Sequence, residues 1–303
     1  MRVIGKYING NYTVTLFEDG TKIRKNDLDN LTPAFAENCD VKITDKCSQG
    51  CRFCYEGCTN EGKHSDIMNQ PWINSLHPYT ELAINGNDLD HPDLENFLWF
   101  LKGKKVIANM TVNQNQFINN YPKIREWIDR KLIWGLGVSY KNEPRIILQY
   151  IKDLPNAVLH VVNGIITEED FNGLVGNNLK VLILGYKTRG RGVVYAKENQ
   201  KEIQNNISWL HDNLEKLIPQ FKVVSFDNLA IEQLKVKRLL SEKEWGEFYM
   251  GDDGQYTFYI DAVSGTFSRD SVTAETIRYP IENKTVDKMF NIIRNETDTK
   301  RNI

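Results

Sequence analysis

The run KVIANMTVNQNQFINNYPKIREWIDRKLIWGLGV, residues 105–138, carries the pattern that organises this chain. Residues 105–112 are mostly apolar or β-branched and read as a strand. Residues 116–130 read as a helix, and residues 132–138 as a second strand. A strand, a helix and a strand with short joints make a crossover that leaves the two strands parallel. The unit recurs on both sides. Upstream, residues 41–44 and 81–84 read as strands, with a helix at 92–102; downstream, 157–162 and 179–184 are strands, with helices at 144–154 and 168–175. Asn142 and Thr167 stand where caps belong for the last two helices. This alternation predicts an α/β fold, a parallel sheet with helices outside, open or closed as a barrel. Ligands in such folds sit at the C-terminal ends of the strands.

The flanks have another texture. Residues 1–25 read as small antiparallel strands, with Asn9-Gly10 and Asp19-Gly20 as hairpin dipeptides. After Glu198 come a long helix to about Leu217, a strand at 222–226, and a hairpin pairing 248–250 with 255–261 across the turn 251–254. Asp252, Asp253 and Asp261 could suggest a cation site, but the turn 251–254 is the simpler account. A tight turn at Ser264-Gly265, a strand at 266–269 and a helix at 286–294 complete the chain. The expected organisation is an N-terminal β appendage (1–36), a core (37–220) and a C-terminal α+β extension covering it (221–303).

Composition narrows the function classes. The 303 residues include 38 Lys and Arg against 40 Asp and Glu, a net charge of −2. That near-balance argues against non-specific binding to nucleic acid or to a membrane surface. With 41% hydrophobic and 26% charged residues the chain is neither disordered nor collagen-like. No targeting segment is read in residues 1–20, and no apolar run approaches the ~18 residues of a membrane span. A cytoplasmic protein without membrane contact is the expectation.

The cysteines are not scattered. All five, Cys39, Cys47, Cys51, Cys54 and Cys58, fall between positions 39 and 58. A disulfide framework suits short secreted chains, so a metal site is the better account. Cys47, Cys51 and Cys54 follow the first core strand with spacings of three and two residues. Thiolates on one short loop can hold three irons of a four-iron cluster and leave the fourth open. Phe53 stands where it can shield such a cluster from water. Adding Cys58 gives a four-cysteine set that could close around zinc or a simple iron–sulfur cluster. Cys39 reads as a small buried hydrophobe. His64, His77, His91, His160 and His211 form no metal-binding spacing, and His91 before Pro92 reads as a packing or capping residue.

Cys47-x3-Cys51-x-Phe53-Cys54 resembles the cysteine motif of the radical S-adenosylmethionine (SAM) superfamily. The resemblance extends over roughly residues 40–190 and implies a partial (β/α)6 barrel of TIM-like type. It implies a [4Fe-4S] cluster on Cys47, Cys51 and Cys54, flanked by Phe53 and Tyr55, and SAM chelated to the open iron. One electron, from a reductant such as flavodoxin or ferredoxin, would then cleave SAM to methionine and a 5′-deoxyadenosyl radical that abstracts hydrogen from a substrate. Gly86, Asn87 and Asp88 look like the family's Gly-Gly-Glu-Pro turn, with Asn87 in place of the usual Glu that holds the SAM amino group. Thr111 and Asn113 resemble the third strand end, and Ser139 the polar position at the SAM ribose. Asn163, Gly185 and Tyr186 fall where adenine and methionine contacts lie.

Lys187, Arg189 and Arg191 follow the sixth strand. They do not complete a phosphate-binding P-loop, because Arg191-Gly192 replaces its Lys-Ser/Thr. They are either a clamp for the SAM carboxylate or an anionic substrate, or a solvated loop. Cys58 is a bystander, a substrate-side hydrogen donor or an occasional fourth ligand. The chain also resembles radical SAM proteins of bacteria and their phages and the barrels of peptide-modifying maturases. A peptide or protein substrate is the first expectation, a nucleoside or nucleotide the second, activation of a glycyl-radical enzyme the third. A non-catalytic four-cysteine iron–sulfur or zinc protein, and a barrel that binds SAM without cleaving it, are the alternatives.

Overall fold

The computed structural model describes residues 1–28, 30–85 and 88–301, with the side chains of Asp88 and residues 297–301 left aside. Strands β1 (Val3–Asn9), β2 (Tyr12–Phe17) and β3 (Lys22–Lys25) form a three-stranded antiparallel sheet, as the two Asx-Gly turns predict. The second sheet is larger. Strands β4 (Asn38–Lys42), β5 (Glu81–Asn85), β6 (Ile107–Asn113), β7 (Gly135–Ser139), β8 (Ala157–Val162), β9 (Lys180–Leu184) and β10 (Val223–Phe226) lie side by side in chain order, all parallel. Helices α1 (Leu94–Gly103), α2 (Gln114–Asn119), α3 (Tyr121–Asp129), α4 (Pro144–Ile151), α5 (Glu168–Leu174), α6 (Arg191–Glu198) and α7 (Gln200–Leu217) fall between the strands. The chain is therefore a mixed α/β protein around a large, mostly parallel sheet. No helix among the described residues is long and apolar enough to cross a membrane.

Several local expectations change. The helix expected at 116–130 is two helices, because Pro122 lies at the start of α3 and cannot continue α2. Asn142 does not cap α4. Glu143 holds that place with a left-handed backbone and no side-chain cap, and Pro144 follows it, which disfavours helical backbone at residue 143. Thr167 does cap α5, its hydroxyl accepting from Asp170 N. The hairpin of 248–250 with 255–261 does not form. After α8 (Asn228–Gln233), residues 242–248 make helix α9 (Glu242–Phe248), started by a capping box of Ser241 and Glu244. Strand β11 (Thr257–Asp261) instead lies parallel to β4, on the edge opposite β5. Strands β12 (Thr266–Ser268) and β13 (Tyr279–Pro280) continue antiparallel, and α10 (Val286–Arg301) ends the chain. Phe258 and Ile260 of β11 pack with Phe267 and Phe290 in the core, an apolar gain a free hairpin would lack.

The two faces of the large sheet differ. The outer face carries Cys39, Val41, Leu82, Ile84, Met110, Val112, Val138, Leu159, Val181 and Ile183, all buried under Phe97, Trp127, Ile147, Phe171 and Leu210 of the helices. The inner face carries Asp40, Asn85, Asn109, Thr111, Asn113, Ser139 and His160, each only partly buried, with the aliphatic Val158, Val162, Leu182 and Leu184 beside them on β8 and β9. Parallel sheets are normally apolar and covered on both faces. A polar, half-open face on such a sheet is a place for something else to bind. The sheet also curls toward that face. β4 and β9 are five strand spacings apart, about 24 Å in a flat sheet. Yet Lys187, just after β9, interacts electrostatically with Asp40 of β4, and its ammonium lies 4.1 Å from the ring of Tyr55 in the loop after β4. The inner face is thus a trough, mainly polar over β4 to β7 and mixed over β8 and β9.

The small sheet closes the trough at the strands' N-terminal ends. Lys22 pairs with Glu81 of β5 at 2.5 Å. On the far side the carbonyls of Glu18 and Asp19 accept from Asn156 (2.7 Å) and Lys180 (3.1 Å). Between them Glu37, fully buried, accepts two hydrogen bonds from Arg24 (2.8 and 3.0 Å) and one from the Tyr12 hydroxyl (2.6 Å), with Lys22 at 3.3 Å. Burial alone would push the Glu37 carboxyl up. Lys22 and Arg24 outweigh it and hold it below the ordinary carboxylate range.

Candidate functional site

The cysteine loop leaves β4 at the open, C-terminal end of the trough. Its base is closed by short backbone hydrogen bonds, Asp45 N to Lys63 O (2.8 Å) and Cys47 N to Thr59 O (2.7 Å). Cys47, Cys51, Cys54 and Cys58 are half-buried and in no disulfide, while Cys39 is buried on the outer face as a small hydrophobe. Burial raises the Cys51 thiol, with Cys54 and Cys47 adding to the effect, so these three sulfurs feel one another. The Cys58 thiol hydrogen-bonds to Cys54; that bond, opposed by burial and helped by the nearby Arg191 charge, brings Cys54 down to about 6. The same bond raises Cys58. Among the described residues no three His, Cys, Asp or Glu side chains are gathered as a set that could hold a metal ion. The loop thus has four neighbouring cysteines, of which Cys54 alone has a lowered thiol, but no preformed ligand set among the described residues.

A second segment, which sequence reasoning left as anion clamp or solvated loop, holds the cysteine loop in place. Arg191 Nε donates to Cys51 O and Nη1 to Cys58 O, both at 2.9 Å, and Arg191 N donates to Cys54 O at 3.0 Å. Gly190 makes the approach possible. It has a left-handed backbone (φ +52°), and a Cβ there would lie 2.5 Å from Tyr55 O. Arg189 turns the other way, to the carbonyls of Ser271 and Thr273 and to Glu275. Neither arginine is free for an anion. Lys187 lies over Tyr55 and donates to Ser271 Oγ at 3.2 Å. Burial opposes its charge, but Tyr55, Asp227, Asp40 and Glu56 together keep it above the ordinary lysine range. An Arg191→Ala variant is expected to loosen the cysteine loop. Hydrogen bonds from a charged donor contribute about 1.5–3 kcal/mol each, so amides of residues 51–58 should exchange at least about tenfold faster. Hydrogen-exchange mass spectrometry checks this, with β6 as the unchanged reference.

A third tie comes from Lys42, buried at the end of β4. It pairs with Asp45, with Glu56 (3.2 Å) and with Asp261 of β11 (3.5 Å), and Tyr259 donates to Glu56 at 3.3 Å. The extension is thereby bonded to the cysteine loop. Gln49 of the loop also accepts from Asn115 at the start of α2 (3.1 Å).

The expected contact residues distribute unevenly. Thr111 and Ser139 face the trough from β6 and β7. Asn113 caps α2, its side chain accepting from Asn115 N at 2.8 Å. Phe53 packs edge-on against Tyr195 of α6. Gly185 N donates to Asp227, and the backbone of Tyr186 exchanges two hydrogen bonds of 2.9 Å with the Gln233 side chain. Tyr186, Lys187, Lys197, Gln200 and Gln233 line a cavity of about 600 Å³ beside the loop after β9. Asn163 is fully enclosed behind it, donating to Gln233 at 3.1 Å and leaving Oδ1 without a partner. Gly86 and Asn87 lie outside the described residues, and Asp88 is described only as the start of a short 3-10 turn. His91 is buried and bonded to Ser65 O, a packing role as expected.

One trough residue carried no sequence signal beyond alternation in β8. His160 faces inward, and burial alone brings its imidazole down to about 4. The sign follows. Between about pH 6.5 and 4 the unfolded chain binds the proton and the folded chain does not, so stability is complete above this window and falls as pH drops through it. His160→Gln is expected to flatten that acid limb, by up to about 3 kcal/mol at its foot, in urea unfolding measured from pH 7 to 4. No family model matches this chain, and no curated protein does either, so its function is argued from these residues alone.

Proposed function

We propose that this chain is a radical SAM enzyme built on a partial (β/α)6 barrel, β4 to β9 being its strands. One observation carries the reading. Cys47, Cys51 and Cys54 follow the first parallel strand, and the segment after the sixth curls round to clamp that same loop. The donor chemistry fits a cluster: three half-buried sulfurs that feel one another, on a loop held by its backbone, with thiolate character at Cys54. Cys47, Cys51 and Cys54 would hold [4Fe-4S], and SAM would be met by Ser139, Tyr186 and Lys187, with Asn163 behind the wall. When bound, that pair supplies, on one-electron reduction, the means to abstract hydrogen from a substrate. Arg191 and Gly190 orient the sulfurs. The small sheet shuts the far end of the trough and keeps water from entering there. Lys42, Glu56 and Asp261 fix the loop to the extension. Cys58 stands beside Cys54 as a thiol whose hydrogen could be passed on. A reductant of flavodoxin or ferredoxin type and a peptide or protein substrate complete the proposal; a nucleotide is the second choice.

A second reading has its own observation. The Cys58–Cys54 hydrogen bond puts a fourth sulfur within reach of a closed, non-catalytic site. The experiment is anaerobic reconstitution with iron and sulfide, reduction with dithionite, addition of SAM, and chromatography of 5′-deoxyadenosine. Its formation is expected. A full four-iron cluster that yields none, and whose spectrum SAM does not change, would overturn the proposal in favour of the closed site.

A further inference from the structure

Thr111, Gly137 and His160 stand side by side on the floor of the trough, on β6, β7 and β8. A Cβ on Gly137 would lie 2.3 Å from His160 Cε1, 2.5 Å from Nε2 and 2.9 Å from Thr111 Oγ1. The imidazole therefore fills the space of the missing side chain, with the Thr111 hydroxyl next to it. Among the described residues the His160 side chain makes no hydrogen bond, ion pair or ring contact, and it remains partly accessible. Among the described residues the ions on the inner strands are engaged. Asp40 accepts from Asn38 at 3.1 Å, Glu81 holds Lys22, Lys42 holds Glu56 and Asp261, and Lys180 donates to Asp19 O. An anion on this floor would lose its water and find the charged groups of the inner strands already paired within the protein. A neutral imidazole offers one donor and one acceptor, and so does an amide.

We infer that the floor of the trough selects an uncharged, hydrogen-bonding group of amide type on the substrate, with His160 and Thr111 as the residues that recognise it. This rests on the trough being the substrate site of the proposed enzyme, and it favours a peptide over a phosphate-bearing substrate. Burial that holds His160 neutral at physiological pH supports the match. Gly137 is then required for space, since any Cβ displaces the imidazole.

The test uses the full-length chain with isotope-labelled histidine. The His160 Cε1–H signal is assigned by its absence in His160→Gln, and the probes are N-acetylglycinamide, inorganic phosphate and acetate. A saturable shift with the amide and none with the anions is expected. By calorimetry, His160→Phe and Thr111→Val are each expected to weaken the amide about fivefold, the loss of one neutral hydrogen bond. Gly137→Ala, which keeps both partners, is expected to abolish the shift while circular dichroism stays unchanged. A saturable shift with phosphate or acetate, an unmoved signal with the amide, or undiminished binding in His160→Phe would each overturn the inference. These signals need no iron, so the outcomes separate. An amide response without 5′-deoxyadenosine formation sinks the enzyme reading alone, and 5′-deoxyadenosine formation with a silent His160 sinks this one alone.

Discussion

Cys51→Ala protein, reconstituted without oxygen, is expected to lose the cluster's visible absorbance and all 5′-deoxyadenosine formation, whereas Cys58→Ala is expected to keep most of both. Cys54 and Cys47 both raise the Cys51 thiol, and Cys51 is the middle member of the three by sequence. Structural metal–thiolate sites bind with about 10–16 kcal/mol over four ligands, so one thiolate contributes roughly 3 kcal/mol. Removing one of three should weaken the cluster more than a hundredfold. The Cys58 sulfur meets the other three through its bond to Cys54. Its loss removes a hydrogen bond and leaves three ligands. If all four sulfurs closed around zinc or a simple cluster, both variants would lose metal alike. Iron and zinc analysis of the purified variants, beside the product assay, decides between the two patterns. Arg191→Ala provides the intermediate case, with all cysteines present on a loosened loop.

Glu37→Ala is expected to destabilise the fold by about 3–5 kcal/mol, the range for breaking a buried ion pair from one side. The carboxylate is fully buried and answers Arg24, Lys22 and Tyr12 at once. Without it Arg24 loses its carboxylate partner, Lys22 keeps Glu81, and the Tyr12 hydroxyl loses its acceptor. Glu37→Gln keeps the volume and a partner for Tyr12 but not the charge, and should still lose a large part of that stability. The wild-type contribution is present above the ordinary carboxylate value and disappears as pH falls through the lowered folded one. Urea midpoints of the three proteins at pH 7 and at pH 4 measure it. A shift below 1 kcal/mol for Glu37→Ala would mean that the small sheet does not seal the trough through this residue. Loss of the seal should also expose the trough's polar floor to exchange from the closed end.

The strands at 81–85, 157–162 and 180–184 were legible to within a residue, because a run of apolar, β-branched residues between turn signals is a local pattern. The cysteine spacing was legible for the same reason. Thr167 could be recognised as a cap, since it needs only the residues that follow it. The break at Pro122 was missed although proline announces it, because the apolar spacing on either side continues one helical phase. Asn142 failed as a cap because Pro144 constrains the residue between them.

Local order in the chain therefore determined the alternation of strands and helices, the antiparallel appendage and the grouping of sulfurs on one loop. The tertiary structure alone decided what meets them. Arg191 binds carbonyls 140 and 133 residues away, and Asp261 reaches Lys42 across 219. β11 took the edge beside β4, and not the hairpin its flanking turn suggested, because that edge offered both backbone partners and the apolar pocket of Phe267 and Phe290. His160 became a trough residue only when the sheet curled its polar face inward. Contacts of this kind are chosen by which edges, cavities and charges remain open once the sheet has formed, and no spacing along the chain encodes that choice.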